Sequence, residues 1–295
     1  MPKISIIIPV FNDFTAIQET LKSLKNQTAS PELFEIIVVD NGSSDGSVEW
    51  LNMQKDITFL QELTFLGSPY SCRNRGIEIA KGELIVLLDS TCVPSSEFVE
   101  QGWTFYEQTN ADLFGGNVLF DFENKPTLGK MYDSITNVQM RHSIETKQEA
   151  KTANLWVNKS LFLQFGMFVE GVRSGEDVRW TKSCTSQGIN ISYCETCVVY
   201  KYARGLYELM IKQIRVGKGQ VGMWKRQNVV RSKFVQAAKK NIFPLRVATM
   251  KAQIARNRSL TYSRPLIIKL YCVAYLVAFS NFYGNVIGLL FGKSK

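Results

Sequence analysis

Three short apolar segments near the start of the chain restrict the folds that it can adopt. They are KISIIIP at residues 3–9, EIIVV at 35–39 and ELIVLL at 83–88, and the stretches between them have helical periodicity. Strands that are apolar on both faces are typical of parallel sheets covered by helices. Strand and helix alternate at the spacing of βαβ units, so the sequence predicts an α/β fold with a mostly parallel sheet.

Two of these strands run directly into a carboxylate. Asp40 follows the second strand and begins a turn-rich loop, NGSSDGS, and Asp89 follows the strand at 83–88. Ligands of open α/β sheets bind in the crevice at the carboxyl ends of the strands. Two acids at neighbouring strand ends therefore predict a site for a metal ion or for a ligand with hydrogen-bond donors.

The charges divide the chain into two regions. Residues 1–200 contain 25 acidic and 16 basic side chains, whereas residues 201–295 contain 19 basic side chains and one acidic, Glu208. A chain of 295 residues is long enough for more than one folded unit. We therefore expect an α/β domain at residues 1–205 and a basic, helical region at residues 206–295 that associates with a membrane.

The basic region has the composition of a membrane-binding segment. Between residues 201 and 264, 16 basic side chains are interleaved with apolar ones, as in amphipathic helices that lie on an anionic membrane. Residues 270–291 carry no charge and are long enough to span a bilayer, but they include polar residues and glycines. A single span, a shallow or re-entrant helix pair and a buried core helix all remain open. Because the front region has no nucleic-acid motif, we expect no nucleic-acid partner.

The cysteines predict no disulfide framework. Among the six, only Cys194 and Cys197 form a close pair, and a zinc site would need further ligands that the single His142 does not obviously supply. A strand that carries both cysteines is the favoured interpretation, and a reducing cytoplasm suits all six.

Seven segments occur together in the order typical of one enzyme family. They are ISIIIPVFND, VVDNGSSDGS, CRNRGIEIAKGELIVLLDS, GGNV, TANLWVNKSLF, SGEDVRW and QIRVGKG, and they are spread across residues 4–219. In these motifs the chain resembles the family 2 glycosyltransferases of bacterial polysaccharide synthesis. The resemblance implies a Rossmann-like GT-A fold and sugar transfer with inversion.

The resemblance also assigns residues to the sugar donor. Pro9 and Phe11 would shape the slot for the base, and Arg73 would lie near the base or the phosphates. Asp40 would accept a hydrogen bond from the base, which suits the imide N–H of uracil or thymine and favours a UDP- or dTDP-sugar. The alternatives are that Asp40 only caps its turn and that Arg73 is a surface charge.

The motif that binds a divalent cation in this family is altered. It reads Asp89-Ser90-Thr91, so Thr91 stands where the second Asp is expected. Binding of Mg²⁺ or Mn²⁺ would then either be weak or rely on Asp89, the pyrophosphate and water. Alternatively, basic groups such as Arg215 in the QIRVGKG segment replace the metal, or catalysis is lost.

The catalytic base implied by the resemblance is Asp177. An inverting transferase needs a carboxylate that takes the proton of the acceptor hydroxyl, and Glu176 would be a structural or acceptor-orienting neighbour. Both acids could equally cap a helix N-terminus. Asn154 and Trp156 would face the donor sugar or the acceptor, although Trp156 could as well belong to the core.

Together these features predict a glycosyltransferase at the cytoplasmic face of the cell membrane, bound peripherally or by one span. It would transfer a sugar from a nucleotide diphosphate to a membrane-associated acceptor such as a lipid-linked saccharide. The alternative is a catalytically silent GT-A module that binds nucleotide or a partner enzyme at the membrane. A nucleotidyltransferase is disfavoured because no glycine-rich phosphate loop follows the first strand.

Overall fold

The computed structural model describes residues 1–123, 126–226, 228–242, 247–256 and 263–291. The chain divides into two compact units, Met1–Leu119 with Val138–Lys201, and Phe120–Asn137 with Tyr202–Lys295. The second junction falls close to the expected boundary at 205. The segment Phe120–Asn137, which the sequence analysis placed in the first domain, groups with the C-terminal region instead.

The described residues form one sheet of eight strands in the order β3-β2-β1-β4-β7-β6-β8-β5. The strands are β1 (Ile4–Val10), β2 (Phe34–Asp40), β3 (Thr58–Gln61), β4 (Leu84–Leu88), β5 (Cys92–Pro94), β6 (Leu113–Asp121), β7 (Asn154–Asn158) and β8 (Ser192–Tyr202). The helices are α1 (Phe14–Lys25), α2 (Ser47–Asn52), α3 (Pro69–Ile79), α4 (Phe98–Thr109), α5 (Leu128–Thr136), α6 (Met140–Lys147), α7 (Ser160–Phe165), α8 (Glu176–Ser186), α9 (Leu206–Arg226), α10 (Val230–Ile242), α11 (Val247–Arg256) and α12 (Arg264–Phe291).

The sheet is mixed rather than parallel throughout. β1 is parallel to β2 and β4, and β2 is parallel to β3, so the carboxyl ends of these strands meet at one edge. β7 runs antiparallel to β4 and β6, and β8 runs antiparallel to β5. The α/β prediction therefore holds, and the parallel half is the part that the apolar strand segments indicated.

Close packing at two glycines brings a turn and a helix against the sheet. A Cβ at Gly82 would lie 2.7 Å from the Ile4 carbonyl carbon, so the turn before β4 passes directly beside β1. A Cβ at Gly102 in α4 would lie 2.1 Å from the ring of Trp156. Trp156 is fully buried and stacks on Phe114, with ring centroids 5.3 Å apart.

The cysteine pair lies in a strand, as the sequence analysis favoured. Cys194 and Cys197 are both buried in β8. Within the described ranges, no group of three or more His, Cys, Asp and Glu side chains is placed to hold a metal ion.

The second unit is a helical assembly with its own core. Buried apolar residues from α5, α9, α11 and α12 meet in one cluster: Tyr132, Ile135, Leu209, Met250, Ile254, Ile267, Leu270, Val273, Ala274 and Val277. α12 is long and apolar enough to cross a membrane. By length and composition it therefore meets the first requirement of the predicted span.

Helices α9 and α12 approach each other through glycines. A Cβ at Gly284 would lie 2.1 Å from the carbonyl oxygen of Ile214, and one at Gly217 would lie 2.0 Å from that of Asn281. The Asn285 amide donates to the Gly217 carbonyl at 2.8 Å. Small residues and amides at a helix contact are typical of packing between membrane helices. Two of the polar residues that weakened the prediction of a span, Asn281 and Asn285, thus bond to α9.

We expect Gly102→Ala to lower the free energy of unfolding by about 1–3 kcal/mol, because the new methyl group overpacks the site beside Trp156. Gly222→Ala in α9 is the matched control, since among the described residues no atom beyond its chain neighbours and its own helix backbone lies within 4 Å of its Cβ position. Helix propensity predicts a gain of up to ~1 kcal/mol. Urea unfolding followed by tryptophan fluorescence measures both. Equal stability of Gly102→Ala and wild type would contradict this packing.

Candidate active site

The loops that follow β1 and β2 are joined by hydrogen bonds at the carboxyl edge of the sheet. The Asn12 N–H donates to Ser43 Oγ at 2.9 Å, and the Ser44 N–H donates to Asn12 Oδ1 at 2.8 Å. The Phe14 N–H, at the start of α1, donates to Asp45 Oδ2 at 2.9 Å. These bonds fix both loops where the resemblance places the nucleotide.

The predicted base-binding residues Pro9, Phe11 and Asp40 lie at the carboxyl ends of β1 and β2. Pro9 is buried in β1 beside Val39 of β2, and Phe11 is 44% exposed at the end of β1. Asp40 is fully buried, and its carboxylate accepts the N–H groups of Gly42 at 2.7 Å and Ser43 at 3.0 Å. Asp40 therefore caps its turn. An ionised carboxylate has about four acceptor positions, so a contact with a base stays a prediction.

Helix α3 brings two functional side chains to the site. Its start is fixed by Ser68, whose Oγ accepts the Ser71 N–H, and by Pro69 in the first turn. Tyr70 and Arg73 are three residues apart and share one helix face. The Arg73 guanidinium lies over the Tyr70 ring, 5.4 Å from its centroid.

Arg73 is a buried partner of Asp89. Its Nη2 donates to Asp89 Oδ1 at 2.8 Å, and its side chain is only 3% exposed, against 33% for Asp89. The alternative that Arg73 is a surface charge is therefore wrong. Arg73 holds the partly exposed acid at the end of β4, and its contact with the donor stays a prediction.

Lys201 is a second cation at Asp89, and the sequence analysis missed it. It lies in β8, opposite Cys92 of β5, and its side chain is 3% exposed. Its Nζ donates to Asp89 Oδ2 at 3.1 Å and to Thr91 Oγ1 at 2.6 Å. In the sequence it is one of many basic residues after position 200. What separates Lys201 from them is seen in the structure: buried and exposed residues alternate along the end of β8, and Lys201 falls on the buried side.

These residues do not fit a divalent cation. Each oxygen of Asp89 is bonded to a cationic side chain, and Thr91 is bonded to the same ammonium group of Lys201. Hard dications prefer several anionic oxygen ligands, whereas both oxygens of Asp89 are already paired with cations. The contacts therefore do not support the expected binding of Mg²⁺ or Mn²⁺ by Asp89.

The carboxylate predicted as catalytic base is held at the start of α8. Asp177 Oδ1 accepts the Tyr70 hydroxyl at 2.9 Å and the Val178 N–H at 2.9 Å, and Oδ2 accepts the Thr152 N–H at 3.4 Å. Burial and the negative charge of Asp177 raise the pKa of Tyr70 well above its usual range, so Tyr70 stays a donor. Tyr70 thus links Asp177 to Arg73 and Asp89.

Glu176 has a structural environment. It forms a two-pronged ion pair with Arg179, with Nε at 2.6 Å from Oε2, and its Oε1 accepts the Val169 N–H at 2.8 Å. It therefore braces the segment before α8 rather than pointing to a substrate.

Two further predicted residues lie in the core of the first unit. Asn154 is fully buried and donates to the carbonyls of Asn117 and Cys197, and its Oδ1 accepts the Trp156 Nε1–H at 3.0 Å. The structure therefore supports the interpretation that Trp156 belongs to the core, and the burial of both side chains does not support contact with a sugar. Arg215 lies in α9 of the second unit, and its contact with a diphosphate stays a prediction.

Comparison with known proteins identifies the family of this chain. Residues 5–169 match the family described as Glycosyl transferase family 2. The chain belongs to this family. It is 39% identical over 228 residues to Glycosyltransferase AglE of Haloferax volcanii, a match that covers 76% of this chain and 75% of that protein. Over 93 residues it is 36% identical to a GalNAc(5)-diNAcBac-PP-undecaprenol beta-1,3-glucosyltransferase of Campylobacter jejuni, or 30% of this chain and 29% of that protein.

The solved structures confirm the fold. Mannosyltransferase PcManGT from Pyrobaculum calidifontis, in complex with GDP-Man and Mn²⁺, superposes with a TM-score of 0.61 at 16% identity, over 98% of this chain and 87% of that one. The GT-A-like fold with a C-terminal helix is thereby shown.

We expect Tyr70→Phe to lower the turnover of this glycosyltransferase while leaving its affinity for nucleotide unchanged. The ring beneath Arg73 stays, but the buried Asp177 loses one of its donors. Loss of such a bond costs about 1–3 kcal/mol of stability. Steady-state kinetics with calorimetric nucleotide binding checks the separation, and an unchanged turnover would mean that Tyr70 does not position Asp177.

Proposed function

We propose that this protein transfers a sugar from a nucleoside diphosphate sugar to a lipid-linked saccharide, with inversion. The observation that carries the proposal is the series of contacts Asp177–Tyr70–Arg73–Asp89, which joins a buried carboxylate to the carboxyl end of β4. An acceptor-side base and a donor-side strand end are the two parts that sugar transfer requires.

The chemistry is one displacement. The acceptor oxygen forms a bond to the anomeric carbon as Asp177 takes the hydroxyl proton, and the bond to the diphosphate oxygen breaks with its electron pair. Attack opposite the leaving group inverts the anomeric centre. Arg73, beside Asp89, would offset the negative charge that develops on the diphosphate.

The donor is proposed to be a UDP- or dTDP-sugar. Support comes from Asp40, a carboxylate acceptor at the end of β2, and from Phe11, which is exposed enough to stack on a base. An acceptor of this kind pairs with the imide N–H of uracil or thymine.

The acceptor is proposed to be membrane-borne, and the membrane anionic. On α12, the side opposite the glycine contact exposes large apolar side chains: Ile268, Tyr275, Leu276, Phe279, Tyr283, Leu290 and Phe291. Residues 201–295, which include α12, carry 19 basic side chains and one acidic side chain. Apolar area together with positive charge is the combination that binds an anionic membrane. The Campylobacter jejuni relative is named for an acceptor on PP-undecaprenol. We propose that this chain lies at the cytoplasmic face of the membrane, bound peripherally or by one span.

A catalytically silent GT-A module is the second candidate. It is favoured by Thr91, which bonds to Lys201 where the family's second metal-binding acid is expected. Slow hydrolysis of a nucleotide sugar without acceptor separates the two, because hydrolysis needs an active site and binding does not.

We expect Asp177→Asn to slow the release of nucleoside diphosphate from the donor by about 10²–10⁴-fold, the usual contribution of a positioned base. Nucleotide affinity should stay unchanged. The matched control is Glu49→Gln, an exposed acid in the first turn of α2. Release is measured for UDP-, dTDP- and GDP-sugars in parallel. Equal rates for wild type and Asp177→Asn would remove Asp177 from the mechanism, and no release from any donor would favour the silent module.

We expect Phe279→Asn to weaken binding to anionic lipid vesicles about tenfold or more, because Phe279 is 64% exposed on α12 and burying such a side chain contributes about 1.5–3 kcal/mol. Leu163→Asn in the first unit is the control, since Leu163 is 85% exposed and lies outside the basic region. Co-sedimentation with vesicles measures both. Binding that is insensitive to Phe279→Asn, or absent, would contradict the membrane assignment.

A further inference from the structure

The end of β4 contains a positive charge supplied by the chain itself. Lys201 Nζ lies 2.6 Å from Thr91 Oγ1 and 3.1 Å from Asp89 Oδ2, and Arg73 Nη2 lies 2.8 Å from Asp89 Oδ1. Both cationic side chains are 3% exposed. Thr91 and Asp89 are the positions where the sequence motif would place a divalent cation, so the ammonium group occupies the environment of the metal.

The arrangement is built by the fold rather than by a mobile surface side chain. Lys201 is paired with Cys92 in the β5–β8 ladder, while its neighbours Tyr200 and Tyr202 point outward and are exposed. Its third ammonium hydrogen is directed to Cys92 Sγ at 3.4 Å. A buried ammonium is costly unless it is paired and hydrogen-bonded, and this one has a partner for each of its three donors.

The charges make a dication both unfavourable and unnecessary. A metal ion at Asp89 would lie against two cations that already bind the same carboxylate, and like charges at such distances repel strongly in a buried site. Asp13, the other acid beside this position, is bonded to Ser90 Oγ at 2.6 Å. Arg73 and Lys201 therefore balance the charges of Asp89 and Asp13 at this strand end without a metal ion.

Thr91 gains a defined role in this arrangement. Its Oγ1 accepts a hydrogen from Lys201, so its own hydroxyl hydrogen is available to donate elsewhere. Thr91 is partly exposed, and a phosphate oxygen is an acceptor that such a hydroxyl suits. A second Asp at this position could only accept hydrogen bonds and would repel the diphosphate.

We propose that Lys201 and Arg73 take the place of the divalent cation, and that Thr91 donates to the diphosphate, so that this chain binds its nucleotide without metal. The proposal rests on the function proposed above. Lys201 acts through its charge and through Thr91, since its own donors have partners within the protein.

The direct test is calorimetric titration of the full chain with UDP in EDTA and in Mn²⁺. We expect the same Kd in both. Lys201→Gln should weaken UDP binding at least tenfold, and Lys201→Arg should restore part of it. The double variant Thr91→Asp with Lys201→Gln should bind UDP at least tenfold more tightly in Mn²⁺ than in EDTA. Lys159→Gln is the control, because Lys159 Nζ bonds to the Ala80 carbonyl, away from the site.

Thr91→Val keeps the side-chain shape and the charge of Lys201, so it tests the proposal even if the Lys201 variants do not fold. It should weaken UDP binding several-fold, equally with and without Mn²⁺. A wild-type chain that binds UDP only with Mn²⁺, or a folded Lys201→Gln that binds as wild type does in EDTA, would overturn the inference and leave the transferase proposal intact. Failure to bind UDP, dTDP and GDP under every condition would instead overturn the proposed function, and this inference with it.

Discussion

The ion pairs of Asp89 with two buried cations are the contact on which the site depends. Arg73 comes from α3 and Lys201 from β8, so one carboxylate at the end of β4 ties together a helix and the distant part of the sheet. Breaking a buried ion pair by removing one partner is costly, because it leaves an uncompensated charge. The same contact orients Arg73 over Tyr70 and, through the Tyr70 hydroxyl, connects the strand end to Asp177.

The sequence predicts well those features that depend on local patterns. The apolar strands that became β1, β2 and β4 are recognisable because each is buried on both faces, and the two acids that follow β2 and β4 mark the carboxyl edge. The turn-capping role of Asp40 also follows from its neighbours, since it bonds to N–H groups only two and three residues away.

Long-range pairing explains what the sequence does not reveal. Lys201 reaches Thr91 only because β8 pairs with β5 in one register, and the basic residues that follow it conceal its separate role. Tyr70 is indistinguishable from a core aromatic until α8 places Asp177 beside its hydroxyl. The predicted contact of Asn154 and Trp156 with a sugar is not supported, for a different reason. Amide and indole groups can bind a sugar, but they can also bond to each other, and here they do so within the core.

In the second unit, glycines and amides have a packing role that changes the interpretation of α12. Gly284 and Asn285 face α9, so the Asn285 amide is directed to protein. The opposite side exposes mainly apolar groups, and the basic composition of the unit complements an anionic surface. The polar residues Asn281 and Asn285, which weakened the prediction of a span, bond to α9 and leave the apolar side of α12 for lipid contact.

A crystal structure of the chain soaked with UDP and Mn²⁺, with anomalous data collected at the manganese edge, tests the account most directly. We expect the base to lie beside Phe11 and Asp40 and the diphosphate to lie against Thr91. The Lys201 contacts should be retained, and no anomalous peak should appear at Asp89. A manganese peak within coordinating distance of Asp89 with Lys201 displaced, or UDP bound away from this edge of the sheet, would contradict it.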